Sequence, residues 1–195
     1  MESAEIEEKA KKFEKKILKG NKKYAEKHGK THEPEEAKSH TIIITCIDYR
    51  IDTNDFLGLK PSDRTFVFRN AGARVSDDAI RSILLVVRLF AVDQIIVIPH
   101  TQCAMEKVSD KKVRELLRES LGPGHLHGDT ASGKHNRDEF HQSDYISFLA
   151  FENVEQSVRN DIAKLKQNPL ISQNIAISGY VYDVDTGEIK SVVLP

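Results

Sequence analysis

The sequence has few cysteines, no long apolar segment and no excess of charge of one sign. Its 195 residues include two cysteines, too few for a scaffold held together by disulfides. No apolar run approaches the roughly 18 residues that a membrane-spanning helix needs. Lys and Arg total 29 and Asp and Glu total 30, so the net charge is −1. A nucleic-acid binder should be strongly basic. We therefore expect a protein that binds neither membranes nor nucleic acids.

The first residues also lack the features of a targeting segment. Residues 1–30 contain six Glu, no Arg and no apolar stretch. A secretory signal needs an apolar core, and a mitochondrial transit peptide is rich in Arg and poor in acidic residues. We therefore expect a cytoplasmic protein, in which the two cysteines stay reduced and are buried spectators, metal ligands or catalytic thiols.

We predict a single domain, residues 41–195, preceded by a helical arm, residues 1–40. The length of the chain fits one domain with a sizeable core. The arm has a narrow apolar stripe among Lys and Glu, formed by Ile6, Phe13, Ile17 and Tyr24. Because so thin a stripe cannot stabilise an isolated helix, we expect the arm to pack on the body of the protein or on a partner subunit.

Short β-branched runs alternate with helical patterns in the predicted domain. Strands are predicted at residues 41–45, 65–68, 94–98, 174–184 and 189–193, and helices at 76–90, 105–121 and 154–167. Strands separated by helices imply a mostly parallel sheet with right-handed crossovers. We therefore predict an α/β fold, a sheet of order about 2-1-3-4 with a carboxyl-terminal edge strand, flanked by helices.

Residues 122–144 differ in composition from the rest of the domain. They are rich in glycine, nearly free of aliphatic residues, and carry the histidines His125, His127, His135 and His141. We predict a long loop, a kind of segment that is often functional or mobile. We favour a solvated polar loop over a second metal site or a proton shuttle at these histidines.

Three residues with metal-binding side chains follow two of the predicted strands. Cys46 ends the first strand, and His100 and Cys103 follow the third. In a parallel sheet of order 2-1-3 these strands are neighbours, and ligands gather at the carboxyl ends of such strands. Two cysteines and one histidine suit zinc, and three protein ligands leave a position for water, as in catalytic sites. Buried inert cysteines and a metal-free Cys–His nucleophile pair are the alternatives.

A carboxylate and a guanidinium follow Cys46 at alternate positions. In an extended segment, residues two apart point the same way, so Cys46, Asp48 and Arg50 should share one side. Asp48 could accept a hydrogen bond from a water molecule on the metal, and Arg50 could keep Asp48 ionised through a bidentate pair. The alternative is an ordinary surface salt bridge of little energetic value.

Three motifs taken together resemble those of the β-class carbonic anhydrases. The sequence reads C-I-D-Y-R at 46–50, R-N-A-G at 69–72 and H-T-Q-C at 100–103. The family shows C-x-D-x-R, R-N-A-G and H-x-x-C in the same order and at similar separations. The resemblance implies a zinc ion on Cys46, His100 and Cys103, with an Asp48–Arg50 catalytic dyad beside it.

The resemblance also implies an activity and an assembly. The activity is the reversible hydration of CO₂ to bicarbonate and a proton. A closed state is implied as well, in which Asp48 becomes the fourth zinc ligand and leaves Arg50. The helical arm should embrace a second subunit in a homodimer or a dimer of dimers, with the active site at the dimer interface.

Other functions are compatible with the same ligands. Some relatives hydrolyse carbonyl sulfide or carbon disulfide, and the chain departs from the common family pattern at Tyr49, Gln102 and Ala104, which border the expected site. We keep this hydrolase activity as the alternative. A non-catalytic zinc or redox protein of the same fold is the third hypothesis, which the intact Asp48–Arg50 pair disfavours.

Overall fold

Five strands form one sheet in the order β2-β1-β3-β4-β5. Strands β1 to β4 are parallel, and β5 is antiparallel to β4. In the computed structural model they are β1 (His40–Cys46), β2 (Thr65–Asn70), β3 (Val92–Ile98), β4 (Ala176–Tyr182) and β5 (Ile189–Val193). The structure describes residues 3–27, 40–60, 63–121 and 142–195. The predicted fold class and strand order, including the edge strand at the carboxyl end, are confirmed.

The helices begin where the sequence offers capping side chains. They are α1 (Ser3–Lys27), α2 (Thr53–Phe56), α3 (Asp77–Leu89), α4 (Asp110–Leu121) and α5 (Val154–Lys166). The Ser76 hydroxyl accepts a hydrogen bond from the backbone N–H of Ala79 at the start of α3. The Asn153 side chain accepts from the N–H of Gln156 at the start of α5. Such side chains satisfy N–H groups that have no partner within the helix.

Helix α1 lies in the first of two compact units, residues 1–36. It is stabilised by ion pairs between side chains one turn apart, Lys9–Glu5 and Lys11–Glu7. The side chains of the predicted apolar stripe, Ile6, Phe13, Ile17 and Tyr24, are each half or more exposed. Among the residues that the structure describes, no helix is long and apolar enough to cross a membrane.

The main core of the second unit, residues 37–195, lies on one face of the sheet. Alternate residues of β1, β3 and β4 bury their side chains against α3 and α5, because the side chains of a strand alternate between its two faces. The sheet contributes Ile42, Ile44, Ile95, Val97, Ile177 and Val181, and the helices contribute Ile83, Val86, Val158, Ile162 and Leu165.

Helix α5 approaches β4 most closely at Gly179. A Cβ atom at this position would collide with the side chains of Val158 and Ile162, at distances that real Cβ atoms do not show. Glycine within a strand often marks such a close approach. The helix that flanks the carboxyl-terminal half of the sheet is therefore seated directly on the β4 backbone.

Two predicted elements are longer than those in the structure. The helix predicted at 105–121 begins at Asp110, after a 3₁₀ turn at Ala104–Glu106. Its start is delayed because Ser109 accepts a hydrogen bond from the N–H of Lys112, and the Asp110 carboxylate accepts from the backbone of the chain at 148 and 150. The strand predicted at 174–184 is shorter, Ala176–Tyr182. Of the predicted loop at 122–144, residues 122–141, with the four histidines, lie outside the described residues.

Candidate metal centre

The structure brings Cys46, His100 and Cys103 together at the carboxyl end of the sheet. Cys46 is the last residue of β1, and the other two follow β3, its neighbour. One ligand atom from each residue lies within 4.8 Å of the other two, and all three residues are buried. The convergence predicted from the strand order is therefore present in the fold.

The protonation of His100 is fixed by its hydrogen bond. Its Nδ1 lies 2.7 Å from the carbonyl oxygen of Thr101, which can only accept, so Nδ1 carries the proton. The lone pair is then on Nε2. This atom is buried and has no hydrogen-bond partner among the described residues. Metal-binding histidines commonly have this arrangement, with one nitrogen bonded to a carbonyl and the other facing the metal.

The two cysteine sulfurs have the separation that a tetrahedral metal requires. Their Sγ atoms are 3.9 Å apart, and both thiols are free. Two thiolates at about 2.3 Å from a tetrahedral zinc ion would be about 3.8 Å apart. A disulfide would bring the sulfurs to about 2.05 Å. The donor set and its spacing therefore fit a metal ion of the zinc type.

The two thiols have opposite pKa shifts. The pKa of Cys46 is lowered, chiefly by a hydrogen bond from Cys103, with further hydrogen bonds from the backbone N–H groups of Asp48 and Gly72. The pKa of Cys103 is raised, because its proton is held in the hydrogen bond to Cys46 and its surroundings are buried. One thiolate is stabilised by the protein, and a second one beside it requires a cation.

Gly72 contacts this site, although the sequence analysis gave it no role beside the metal ligands. Its backbone N–H lies 3.4 Å from the Cys46 sulfur. Its φ of 77° lies in the left-handed region, and a Cβ would approach Phe151 to 3.0 Å and Met105 to 3.2 Å. Glycine is favoured there because it has no Cβ to clash. The sequence indicated this only through the glycine at the end of R-N-A-G, since glycine often marks a left-handed backbone conformation.

Asp48 and Arg50 form the predicted bidentate pair at the edge of the cluster. Arg50 Nε donates to Asp48 Oδ1 over 2.9 Å, and Arg50 Nη2 donates to Oδ2 over 2.7 Å. Asp48 Oδ2 lies 3.7 Å from His100 Nε2. Hydrogen bonds from Arg50 hold the pKa of the Asp48 carboxyl well below its usual range. An ionised carboxylate is therefore held beside the three donors.

The reason given for this pairing in the sequence analysis is wrong. It assumed that the chain stays extended from Cys46 to Arg50, but β1 ends at Cys46 and the chain then turns. The turn closes with a hydrogen bond from the Ile51 N–H to the Asp48 carbonyl. Arg69 stabilises this segment, since its guanidinium donates to the carbonyls of Cys46 and Asp48.

Apolar side chains surround the buried side of the cluster. Cys46 and Cys103 share a buried apolar cluster with Ile51 and Ala73, against which Phe56, Met105, Phe151 and Tyr182 pack. Such a surrounding strengthens electrostatic interactions by excluding water. The three positions named above as departing from the family pattern, Tyr49, Gln102 and Ala104, are all exposed.

A second charged centre, Arg74 with Asp161, was not anticipated. Arg74 Nε donates to Asp161 Oδ2 over 2.7 Å, and Nη2 donates to Oδ1 over 3.1 Å. The Val75 N–H also donates to Asp161, and Arg74 donates to the carbonyl of Leu149. The sequence did hold a signal, an aspartate on the apolar face of α5. This pair fastens the turn after β2 to α5.

The chain is similar in sequence and in fold to known proteins. A family model described as carbonic anhydrase matches residues 41–189. A carbon disulfide hydrolase from Saccharolobus solfataricus is 35% identical over 165 residues, covering 76% of this chain and 74% of the relative. Beta-carbonic anhydrase 1 from Mycobacterium tuberculosis is 30% identical over 159 residues, covering 82% and 85%. The crystal structure of carbonic anhydrase from Streptococcus mutans has a TM-score of 0.76 and 35% identity, covering 92% of this chain and 97% of that one.

Proposed function

Because this chain belongs to the β-carbonic anhydrase family, we propose that it is a zinc enzyme that reversibly hydrates CO₂ to bicarbonate and a proton. The observation that carries the proposal is the buried group of two thiols and an unprotonated imidazole nitrogen beside an ionised carboxylate. In this proposal Cys46, His100 and Cys103 bind the metal, and Asp48 and Arg50 are catalytic. A structural site would need neither member of that dyad.

The proposed roles follow from the contacts. A bound zinc ion would act as a Lewis acid and lower the pKa of a water molecule from about 15.7 to about 7. Asp48 accepts a hydrogen bond from the attacking water and so directs an oxygen lone pair at the carbon of CO₂. Arg50 holds Asp48 in place through two hydrogen bonds and keeps it ionised. Preorganisation of this kind lowers the reorganisation needed in the transition state.

We also propose a closed arrangement, in which Asp48 would release Arg50 and help to hold the zinc ion as a fourth ligand beside Cys46, His100 and Cys103. Its support is the position of the carboxylate, whose Oδ2 is 3.7 Å from His100 Nε2. In the described arrangement Asp48 is paired with Arg50 instead.

A carbon disulfide or carbonyl sulfide hydrolase is the second candidate. Two observations favour it: the 35% identity to a protein named carbon disulfide hydrolase, and the apolar side chains around the cysteines. Both substrates are small linear molecules whose carbon is open to the same attack by water. The chemistry at Asp48 and Arg50 would be unchanged.

We further propose a cytoplasmic homodimer or dimer of dimers, in which residues 1–40 are an arm and residues 41–195 a single domain. The exposed apolar residues support an assembly. Ile47 and Tyr49, which flank Asp48, are 58% and 94% exposed, and the apolar stripe of α1 is exposed as well. Apolar groups in such clusters commonly mark protein–protein contacts.

The deciding experiment is stopped-flow CO₂ hydration on protein of known zinc content, with carbon disulfide and carbonyl sulfide hydrolysis assayed on the same sample. We expect fast CO₂ hydration. Rapid sulfide release with negligible hydration would favour the second candidate, and neither activity at full zinc occupancy would contradict both. Asp48→Asn should keep its zinc and lose about a hundredfold in kcat, whereas Asp78→Asn, in an exposed pair with Arg81, should change neither.

A further inference from the structure

Gln102 lies between two of the candidate metal ligands, but its side chain is bound elsewhere. Its Nε2 donates to Asp185 Oδ2 over 2.6 Å, in the turn between β4 and β5. The backbone of Gln102 has a φ of 57°. A residue with a Cβ adopts this left-handed conformation only at a cost, so the surrounding contacts must hold it there.

The turn that carries Asp185 is itself well ordered. The Asp183 carboxylate accepts hydrogen bonds from the backbone N–H groups of Asp185 and Thr186, at 2.8 and 3.2 Å. The backbone closes the turn through two further bonds between Asp183 and residues 187 and 188. Such side-chain-to-backbone bonds are the usual way that an aspartate fixes a turn. The backbone at Asp185 is therefore held in place by the turn.

The backbone of this turn is also bound to the loop that contains Gln102. Tyr182 donates to the carbonyl of Pro99, and Thr101 donates to the carbonyl of Tyr182, both over 2.9 Å. The N–H of Val184 donates to the Thr101 hydroxyl over 3.1 Å. The hydrogen bond between Gln102 and Asp185 lies next to these bonds along both segments, and it joins two side chains.

The backbone carbonyl of Gln102 faces the catalytic dyad. It accepts a hydrogen bond from Arg50 Nη2 over 3.4 Å, and the same nitrogen donates to Asp48 Oδ2 over 2.7 Å. A rotation of the Gln102 peptide would remove this contact. Of the hydrogen bonds that the guanidinium makes with the described residues, those to Asp48 would then remain.

We propose that Gln102 is a positioning residue, which Asp185 holds in a left-handed conformation so that its carbonyl fixes Arg50, and through Arg50 the Asp48 carboxylate. This role deepens the proposed function and rests on it for its catalytic consequence. The geometric part, the dependence of Arg50 on the Gln102–Asp185 bond, is independent of which substrate is used.

Removal of either partner tests the catalytic consequence. Gln102→Ala and Asp185→Ala should each lower kcat about fivefold, the effect of one lost hydrogen bond, with zinc content and KM unchanged. The double variant should be no worse than either single variant, because both remove the same bond. Additive losses would contradict a shared role. Glu188→Gln, which removes a carboxylate from the same turn, is the matched control and should have wild-type kcat.

A size exchange tests for rescue. Gln102→Asn shortens one partner by a methylene group, and Asp185→Glu lengthens the other by one. Each single variant should lose about as much kcat as the alanine variants, whereas the combined variant should recover to within about twofold of wild type. Failure of the combined variant to recover would overturn the proposal, since it keeps the charge, the donor and the acceptor.

A readout that does not depend on activity separates this proposal from the proposed function. The Nε–H signal of Arg50 in ¹⁵N NMR spectra, assigned with Arg50→Lys, should shift and exchange faster in both alanine variants and return in the size exchange. An unchanged Arg50 signal in both alanine variants would overturn the positioning role. If that signal responds as expected but the wild type lacks both activities, the positioning role stands and the proposed function fails.

Discussion

Two charged centres of the described structure differ in whether the protein satisfies their polar atoms. At the centre formed by Arg74 and Asp161, two guanidinium–carboxylate bonds, a backbone N–H and a carbonyl leave no buried side-chain nitrogen or oxygen of the pair without a partner. At the centre formed by Cys46, His100 and Cys103, a buried imidazole nitrogen has no partner among the described residues. The thiols there have opposite pKa shifts because they cannot both be ionised side by side.

The difference indicates what each centre is for. A buried ion pair whose hydrogen bonds are complete needs nothing from outside, and its removal should affect folding. A cluster of donors with an unused lone pair is complete only when a cation binds, because a buried polar atom without a partner is costly. The first centre should therefore control stability, and the second should control metal binding and activity.

The largest effect is expected at the donor cluster. Cys46→Ser should reduce bound zinc from one ion per chain to near zero and lower activity by about a thousandfold or more, because the nucleophilic water depends on the metal. Elemental analysis and the stopped-flow assay measure both quantities. Thr45→Ser is the control, since a serine hydroxyl can still donate to the Ile98 carbonyl. A fully zinc-loaded Cys46→Ser protein would contradict the assignment of metal binding to the donor cluster.

The next effect is expected at the ion pair. Asp161→Ala leaves Arg74 largely buried without its partner and should lower the free energy of unfolding by about 3–5 kcal/mol. Urea unfolding measures this change, and the folded protein should still bind one zinc ion per chain. Asp78→Ala, which breaks an exposed pair with Arg81, should leave the unfolding midpoint unchanged. A loss of zinc without a loss of stability in Asp161→Ala would reverse the assignment of the two centres.

A smaller effect on stability is expected where α5, the helix of Asp161, contacts the sheet. Gly179→Ala should lower the free energy of unfolding by about 1–3 kcal/mol, because its methyl group overlaps Val158 and Ile162. Val158→Ala makes room for that methyl group. In urea unfolding, the double variant should therefore lose less than the sum of the single variants. Strict additivity would show that the helix moves instead of being held on β4.

The smallest effect is expected at an exposed ion pair between α5 and β5. Lys190 donates to Glu155 over 2.8 Å and lowers the pKa of Glu155. Because the pKa of Glu155 is lower in the folded protein, its ionised form stabilises the fold at pH values above the pKa that Glu155 has in the unfolded chain. This contribution is lost as the pH falls through the pKa of Glu155 in the folded protein. Lys190→Met should raise the pKa of Glu155 toward its ordinary value, as followed by ¹³C NMR, with little change in stability because the pair is exposed.

A second cation near Glu155 provides the control for that measurement. Arg159 lies 3.9 Å from Glu155 and lowers its pKa less than Lys190 does. Arg159→Gln should therefore shift the titration of Glu155 by less than Lys190→Met. The reverse order would mean that the hydrogen bond from Lys190 is not the main cause of the shift.

The strands, the helix caps and the convergence of the three donors could be predicted from the sequence. Periodicity places the ends of β1 and β3, and the alternation of strands with helices implies a parallel sheet, in which the predicted order 2-1-3 makes these ends neighbours. Ser76 and Asn153 cap their helices through contacts within four residues. All of these features depend on local sequence or on general rules of sheet topology, so they could be predicted without coordinates. The start of α4 could not, since Asp110 binds backbone groups about 40 residues away.

The hydrogen-bond partners of the site residues could be read only from the three-dimensional structure. The partners of Asp161 and Gln102 are 87 and 83 residues away along the chain, and no periodicity relates such positions. The proton on His100 Nδ1 and the sulfur separation depend on how two strands and their loops pack. Local patterns record which face of an element is buried, whereas hydrogen-bond partners are chosen by the three-dimensional packing of distant segments.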